Sequence, residues 1–349
     1  MTFLLGCFII LTVNELRKLE KPVTRTAPAG AVSLFIGVFI MNTTLINKPF
    51  LDYQSQIQKL KTKNLLIEND TNAIKILRKI SYYGLINGYK ACFKDNATHL
   101  FINGTTFDDI YNLYLFDADL RNVFLEYILI VERHIKSSIS YHFSYIYGNG
   151  SNFYKDLSNY DYGKHKKEVQ KLFAKMDSKL FGKHRSPQIS HYMNTYGDVP
   201  LWVLTTDLTF GEIATMYRFL KGHCKTLVCN DFNKIKRTDL GKMLVVLTKF
   251  RNICAHGNRL FNTCIQDALL DNLAHKKLNI SKTNSLYMYG KSDLFSAVIS
   301  LKYLLCKEDF RAFYYELKRT IKKHNPSLQT LQQMGFPSNW MSILRIKVY

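Results

Sequence analysis

Apolar residues recur every three or four positions along most of the chain, a period typical of amphipathic helices. The longest stripe lies between Gly104 and Gly148, an interval without glycine or proline. Its members are Leu113, Phe116, Leu120, Val123, Phe124, Tyr127, Val131, Ile135 and Ile139. We predict one long core helix here, of about 35 residues or about 50 Å, begun by Thr106 or Asp108 and ended by Gly148.

The segment before this stripe predicts two shorter helices and an irregular stretch. Residues 50–66 place apolar side chains near the helical period, and residues 74–80 do so again behind a polar cluster that offers N-caps. We expect the second helix to end near Gly84. The aromatic-rich stretch 82–93 predicts a loop or a short irregular piece.

The second half of the chain continues the helical pattern. Residues 150–190 are rich in lysine and predict either an exposed insertion or a strongly basic helix. Asp239 can cap a helix that ends at His256, with Gly257 as the left-handed residue after it. Other helices are predicted at 208–220 and at 294–305 or 310–323. Because no alternating strand pattern of useful length is visible, the predicted fold class is all-α.

The N-terminus stands apart in composition. Residues 1–13 and 29–41 are apolar, but neither run reaches the ~18–20 residues that a membrane-spanning helix needs. They can be a signal or weak anchor, or an upstream extension before a working start at Met41, which is the interpretation we favour. The predicted divisions of the chain are 1–40 (apolar extension), 41–100 (N-terminal helical region), 101–325 (main helical domain with the basic insertion) and 326–349 (tail).

Net charge narrows the choice of partner. The chain has 349 residues and a formal charge of +21, and residues 151–349 carry most of the excess of lysine and arginine. Such a surface suits a polyanion, and nucleic acid is the commonest one in the cytoplasm; the alternative is a solvated basic surface that binds nothing in particular. Seven scattered cysteines without a CxxC pair suggest no disulfide framework and no zinc site. We therefore expect a reduced, cytoplasmic protein with no metal and no cofactor.

A short polar cluster closes the helix that precedes Gly257. Asn252 and His256 lie one turn apart on nearly the same face, and the long side chain of Arg251 can swing toward them. Arginine binds phosphate oxygens, and histidine transfers protons near neutral pH. Groups of these types are the parts needed to cleave RNA without a metal ion. The spacing alone is also that of a helix-terminal Arg and His that only satisfy backbone carbonyls.

The surrounding sequence adds a resemblance to a known family. LTKFRNICAHGNRLFN (247–262) resembles the RNxxxH signature of the HEPN superfamily, many of whose members are metal-independent ribonucleases. Four further segments, 48–67, 77–90, 107–144 and 199–220, resemble in order the Abi family of AbiD/AbiF-like abortive-infection proteins of bacterial phage resistance. The resemblance spans about 48–262 and implies a HEPN-like helical bundle.

The resemblance also implies roles for residues. Arg251 and His256 would be catalytic, with Asn252 as the polar position after the arginine. The partner helix would bring Glu132, Arg133 and Lys136 beside them as active-site support. Glu132 and Lys136 can instead be a helix-stabilising pair on an exposed face. Because the motif occurs once per chain, a composite site needs a homodimer.

Three functions follow as alternatives. The first is an endoribonuclease that acts on RNA during phage infection. The second is a non-catalytic RNA-binding module that holds a structured non-coding RNA, with Tyr82, Tyr89 and Lys90 as candidate base-stacking and phosphate contacts. The third is a membrane-associated sensor that uses the N-terminal apolar runs. No obligate small-molecule ligand is expected in any of them.

Overall fold

The computed structural model describes residues 49–233 and 235–348. The predictions about residues 1–40 and the start at Met41 lie outside these residues. The described chain from Leu51 onward is one unit, and the divisions proposed inside it stay predictions.

Helices make up most of the described structure, so the all-α prediction is confirmed. The α-helices are α1 (Tyr53–Lys61), α2 (Asp70–Ile80), α3 (Phe107–Tyr147), α4 (Ser151–Tyr154), α5 (Lys166–Phe181), α6 (Pro187–Tyr196), α7 (Leu201–Asp207), α8 (Phe210–Phe219), α9 (Gly222–Asn230), α10 (Arg237–Ala255), α11 (Leu273–Lys277), α12 (Leu294–Leu304), α13 (Lys307–His324) and α14 (Leu328–Gln333). Short 3₁₀ segments lie at Lys90–Phe93, Leu157–Asn159, Gly163–His165 and Trp340–Arg345, and a π-helical turn at Tyr83–Asn87. The described strands, β1 (Lys282–Thr283) and β2 (Leu286–Tyr287), form one antiparallel pair.

The long helix α3 is the centre of the fold. It has 41 residues, and a capping box begins it: the Thr106 side chain accepts from the Asp109 N–H while the Asp109 carboxylate accepts from the Thr106 N–H. Two backbone donors that would otherwise lack partners are thereby satisfied. Helices α7, α9, α10 and α13 pack along α3, which explains why its apolar stripe is buried over nearly its whole length. Gly148 ends the helix at a φ of +102°, as expected.

The N-terminal region is less helical than the sequence pattern predicts. Helix α1 ends at Lys61, and Leu66 instead bonds the backbone of the residues that lead into α3. Helix α2 ends at Ile80 rather than near Gly84, because Ser81 takes a positive φ of +73° that breaks the helix. The stretch 82–93 is irregular as expected, in the form of a π turn and a 3₁₀ turn.

The lysine-rich segment is a basic helix with a buried apolar side. In α5, Val169, Leu172, Met176 and Leu180 are buried against α7 and α8, while the lysines between them face solvent. The spacing of three to four residues gives one apolar stripe. Of the two alternatives for residues 150–190, the basic helix is correct for this part.

The end of the chain also folds onto the helices. Both predicted C-terminal helices are present, as α12 and α13, and Met334, Phe336, Trp340 and Ile343 beyond them are buried. Among residues 49–233 and 235–348, no helix is long and apolar enough to cross a membrane.

Candidate functional site

Helix α10 carries the predicted motif at its C-terminal end. It begins at Arg237, after Lys236 as N-cap, so Asp239 is not the cap that we predicted but a first-turn residue. An acidic side chain there still favours the helix, because it lies near the positive end of the dipole. The other end is a Schellman turn: Asn258 N–H donates to Ile253 O at 3.0 Å and Gly257 N–H to Cys254 O at 3.1 Å, with Gly257 at a φ of +67°.

The three motif residues lie around this helix end with different exposures. His256 is the C-cap and is exposed, as is Asn252 one turn before it. The Arg251 side chain is 31% exposed. No hydrogen bond among the described residues joins the side chains of these three residues to one another. The site therefore presents a cation, an amide and an imidazole to solvent.

A buried carboxylate on the long helix holds the motif arginine. Glu132 is 5% exposed and accepts from Arg251 Nε at 3.2 Å and from Lys136 Nζ at 3.0 Å. Because Glu132 is buried, its pair with Lys136 is not the exposed-face stabiliser of the alternative interpretation. Arg133 is exposed on α3 without an ion pair to any residue that the structure describes. Of the three support residues, Glu132 thus contacts the motif arginine directly, and Lys136 is linked to it through Glu132.

A second buried acid, which the sequence analysis missed, holds the loop after the motif. Asp117 is fully buried and accepts from the backbone N–H groups of Leu260 and Phe261, the latter at 2.7 Å. It also accepts from Tyr89 Oη at 2.7 Å and pairs with Arg121 four residues on. The sequence pattern that could have revealed this pair is DADLR (117–121), which places an acid and an arginine at i,i+4 inside the apolar stripe.

Burial affects two ionisable groups near the motif. It raises the pKa of Asp117, although the hydrogen bonds and Arg121 act in the opposite direction. Burial also raises the pKa of Cys254 to about 12. A thiol with that pKa is not ionised near neutral pH, so the cysteine inside the motif is no candidate nucleophile.

The residues predicted for RNA contact do not form one surface. Tyr89 is buried, stacked on Phe261 at 6.1 Å between ring centroids and bonded to Asp117. It is a core residue in this structure. Tyr82 is half-buried against the core, and Lys90 donates to Asn87 Oδ1. The role of Tyr82 and Lys90 in RNA binding stays a prediction.

A family model described as Abi-like protein matches residues 75–262. The chain belongs to the Abi-like protein family. The matched segment takes in the whole of α3, the whole of α10 and the loop that Asp117 holds, so this Abi-like chain keeps its candidate site inside the family region. No curated protein and no solved structure matches the chain.

The described part of the chain offers no group of three or more His, Cys, Asp or Glu side chains placed to hold a metal ion. The polar groups gathered in this Abi-like site are instead two cations, one carboxylate, one amide and one imidazole.

Proposed function

We propose that this chain is a metal-independent endoribonuclease of the AbiD/AbiF-like branch of the HEPN superfamily, acting in abortive-infection defence against phage. The observation that carries the proposal is the end of α10. There a buried carboxylate fixes Arg251 by its Nε, while His256 and Asn252 stay exposed beside it. Family membership and the resemblance of the motif support the same function.

Arg251 and His256 are placed for different tasks in the proposed reaction. Glu132 engages Arg251 at Nε, and no described residue forms a hydrogen bond with its terminal nitrogens, which can therefore bind two phosphate oxygens. His256 is the exposed C-cap of the same helix, where its ring can exchange a proton with a bound RNA strand.

The proposed reaction is an intramolecular transfer within RNA. The ribose 2′-OH loses its proton to a base and attacks the adjacent phosphorus, and the bond from phosphorus to the 5′-oxygen breaks. Arg251 stabilises the extra negative charge, and an imidazolium protonates the leaving oxygen. The products are a 2′,3′-cyclic phosphate and a 5′-hydroxyl.

One motif per chain supplies one histidine, whereas this reaction uses a base and an acid. We propose a symmetric dimer in which both copies of His256 face a shared cleft. A monodisperse monomer that cuts RNA at full rate would contradict this assembly.

The test compares His256→Ala and Arg251→Ala, with His223→Ala as a control that removes an exposed histidine from α9. His256→Ala should lower the cleavage rate by roughly 10²–10⁴-fold with RNA affinity near wild type. Arg251→Ala should also weaken binding and reduce the salt slope by about 0.7, because it removes a phosphate contact. The His223→Ala protein should cut like wild type.

Cleavage should persist in EDTA, leave a cyclic phosphate, and fail on RNA with a 2′-deoxy group at the scissile position. Full activity of His256→Ala, or cleavage of the deoxy substrate, would contradict the catalytic assignment.

One observation favours the second candidate, a non-catalytic RNA-binding module. Lys166, Lys167 and Lys171 on α5 are exposed and form no ion pair within residues 49–233 and 235–348. The acids of α5 are engaged elsewhere, Glu168 with Arg218 and Asp177 with Lys155. RNA binding that is weakened by Ala at these three lysines, without cleavage in any condition, would favour this module.

A further inference from the structure

The exposed face of α10 is basic along the turns that lead to His256. Lys242 and Lys249 are exposed, seven residues apart, and Lys249 is again seven residues before His256. At 1.5 Å per residue these three side chains are spaced by about 10.5 Å along one face. The helix has a single acidic residue, Asp239, in its first turn.

No residue in the described part of the chain forms an ion pair or hydrogen bond with either lysine side chain. The cations of the motif cluster differ, since Arg251 and Lys136 both engage Glu132. Lys242 and Lys249 are thus positive charges on the motif helix that no described carboxylate neutralises.

We propose that Lys242 and Lys249 bind the phosphate backbone of a single RNA strand that runs along α10 away from the scissile bond. The inference rests on the proposed function and names its substrate as a strand several nucleotides longer than the cleaved pair. Charge complementarity favours this occupant. In a symmetric dimer, two copies of the stripe in direct contact would bring like charges together, whereas an RNA strand between them neutralises both.

Contacts remote from the reacting phosphate act equally in the ground state and the transition state. They should therefore lower KM without changing kcat. A dinucleotide, which is too short to reach from His256 to Lys249, should gain nothing from them.

The test is the double variant Lys242→Ala/Lys249→Ala in the full chain. Lys318→Ala serves as control, because Lys318 is exposed in α13 and has no ion pair among the described residues. The probes are a fluorescent single-stranded RNA of mixed sequence and an RNA dinucleotide. The double variant should bind the longer RNA about tenfold more weakly at 0.15 M salt, with a salt slope smaller by about 1.4, as expected for two lost phosphate contacts.

Its KM for the longer RNA should rise by a similar factor at unchanged kcat. Its kinetics with the dinucleotide, and those of Lys318→Ala with both probes, should equal wild type.

The outcomes separate this inference from the proposed function. If the wild type cleaves RNA and the double variant shows the same KM and the same salt slope, the lysine contacts are overturned and the nuclease proposal stands. A wild-type chain that binds RNA but cuts neither probe would overturn the nuclease proposal. The salt slope of RNA binding, compared between wild type and double variant, would then by itself test the lysine contacts. A double variant that changes its oligomeric state while it binds RNA like wild type would make the stripe an interface between copies and overturn the inference.

Discussion

The long helix carries two buried acids that hold the motif segment in different ways. Asp117 binds backbone N–H groups of the loop after the motif, and Glu132 binds the side chain of Arg251. Each also pairs with a cation four residues later, Arg121 and Lys136 respectively.

The two acids differ in what their partners can do. Asp117 is fully buried, and its donors are two backbone amides, a tyrosine hydroxyl and a largely buried arginine, none of which is placed to reach a ligand while bound. The partners of Glu132 reach solvent, because the side chains of Arg251 and Lys136 are 31% and 16% exposed. The same pairing of an acid with a base at i,i+4 therefore anchors backbone at one point and orients a solvent-facing cation at the other.

The largest effect on stability is expected at Asp117, which anchors the loop after the motif. Asp117→Ala should lower the free energy of unfolding by about 3–5 kcal/mol, because it leaves Arg121 and two backbone donors buried without their acceptor. Denaturant unfolding measures this. Asp119→Ala is the matched control on the same helix: its acid is partly exposed and pairs with Lys323 and His324, so its loss should cost at most about 1 kcal/mol. Equal losses in the two variants would remove the distinction between anchor and surface pair.

At Glu132, a substitution should lower the cleavage rate strongly and the free energy of unfolding only slightly. Glu132→Gln keeps the size of the side chain but removes the charge that fixes Arg251. Under the proposed nuclease function, cleavage should fall by about 10²-fold, because Arg251 would no longer be held in place for the phosphate. The unfolding free energy should change by less than in Asp117→Ala, because both cations can turn to water. Assays at matched folded fraction test this, and an activity loss that merely follows the folded fraction would make Glu132 a second anchor.

How far the sequence predicts this arrangement depends on the range of the interaction. The long helix, its Thr106 start and the Gly257 turn follow from local periodicity and capping, and all are present. The motif at Arg251 and His256 was found by local spacing and resemblance. Asp117 was missed because its partners at 260 and 261 are 143 and 144 residues away.

The same limit explains the placement of Tyr89. An aromatic residue beside glycine and lysine suggested base stacking, whereas its hydroxyl satisfies Asp117, 28 residues away. No local pattern states which buried acid a tyrosine will meet.

A smaller change at the anchor should reveal its hydrogen bonds one at a time. Tyr89→Phe removes the hydroxyl that donates to Asp117 at 2.7 Å and keeps the ring that stacks on Phe261. The expected loss is about 2 kcal/mol of unfolding free energy, the range for a hydrogen bond to a charged group. Cleavage per folded molecule should be unchanged, since the motif side chains keep their contacts. A loss of cleavage without loss of stability would link Tyr89 to the reaction.

Another buried acid, Asp293, lacks a cation at i+4 and therefore tests what such a cation contributes to keeping a buried carboxylate ionised. Asp293 caps α12 and accepts from the N–H groups of Gly290 and Ser296, but it forms no ion pair with any residue that the structure describes. Burial raises its pKa to about 7, against an ordinary value of 3.8. Between these two values the folded chain holds a proton that the unfolded chain has lost, so the unfolding free energy should fall as the pH rises through this window.

The expected slope is steepest in the middle of this window, at about 1.3 kcal/mol per pH unit, and falls to about half of that at about pH 7, where Asp293 has lost half of its proton in the folded state. Asn is also a good N-cap residue, so Asp293→Asn should keep the helix start while removing the titration. Denaturant unfolding of wild type and variant between about pH 5 and about pH 7 gives the comparison. The difference between the two curves should shrink toward the acid end, where Asp293 is neutral in the folded state. Parallel curves would mean that backbone donors alone keep a buried carboxylate ionised, and that the cations beside Asp117 and Glu132 are not what makes those acids tolerable in the core.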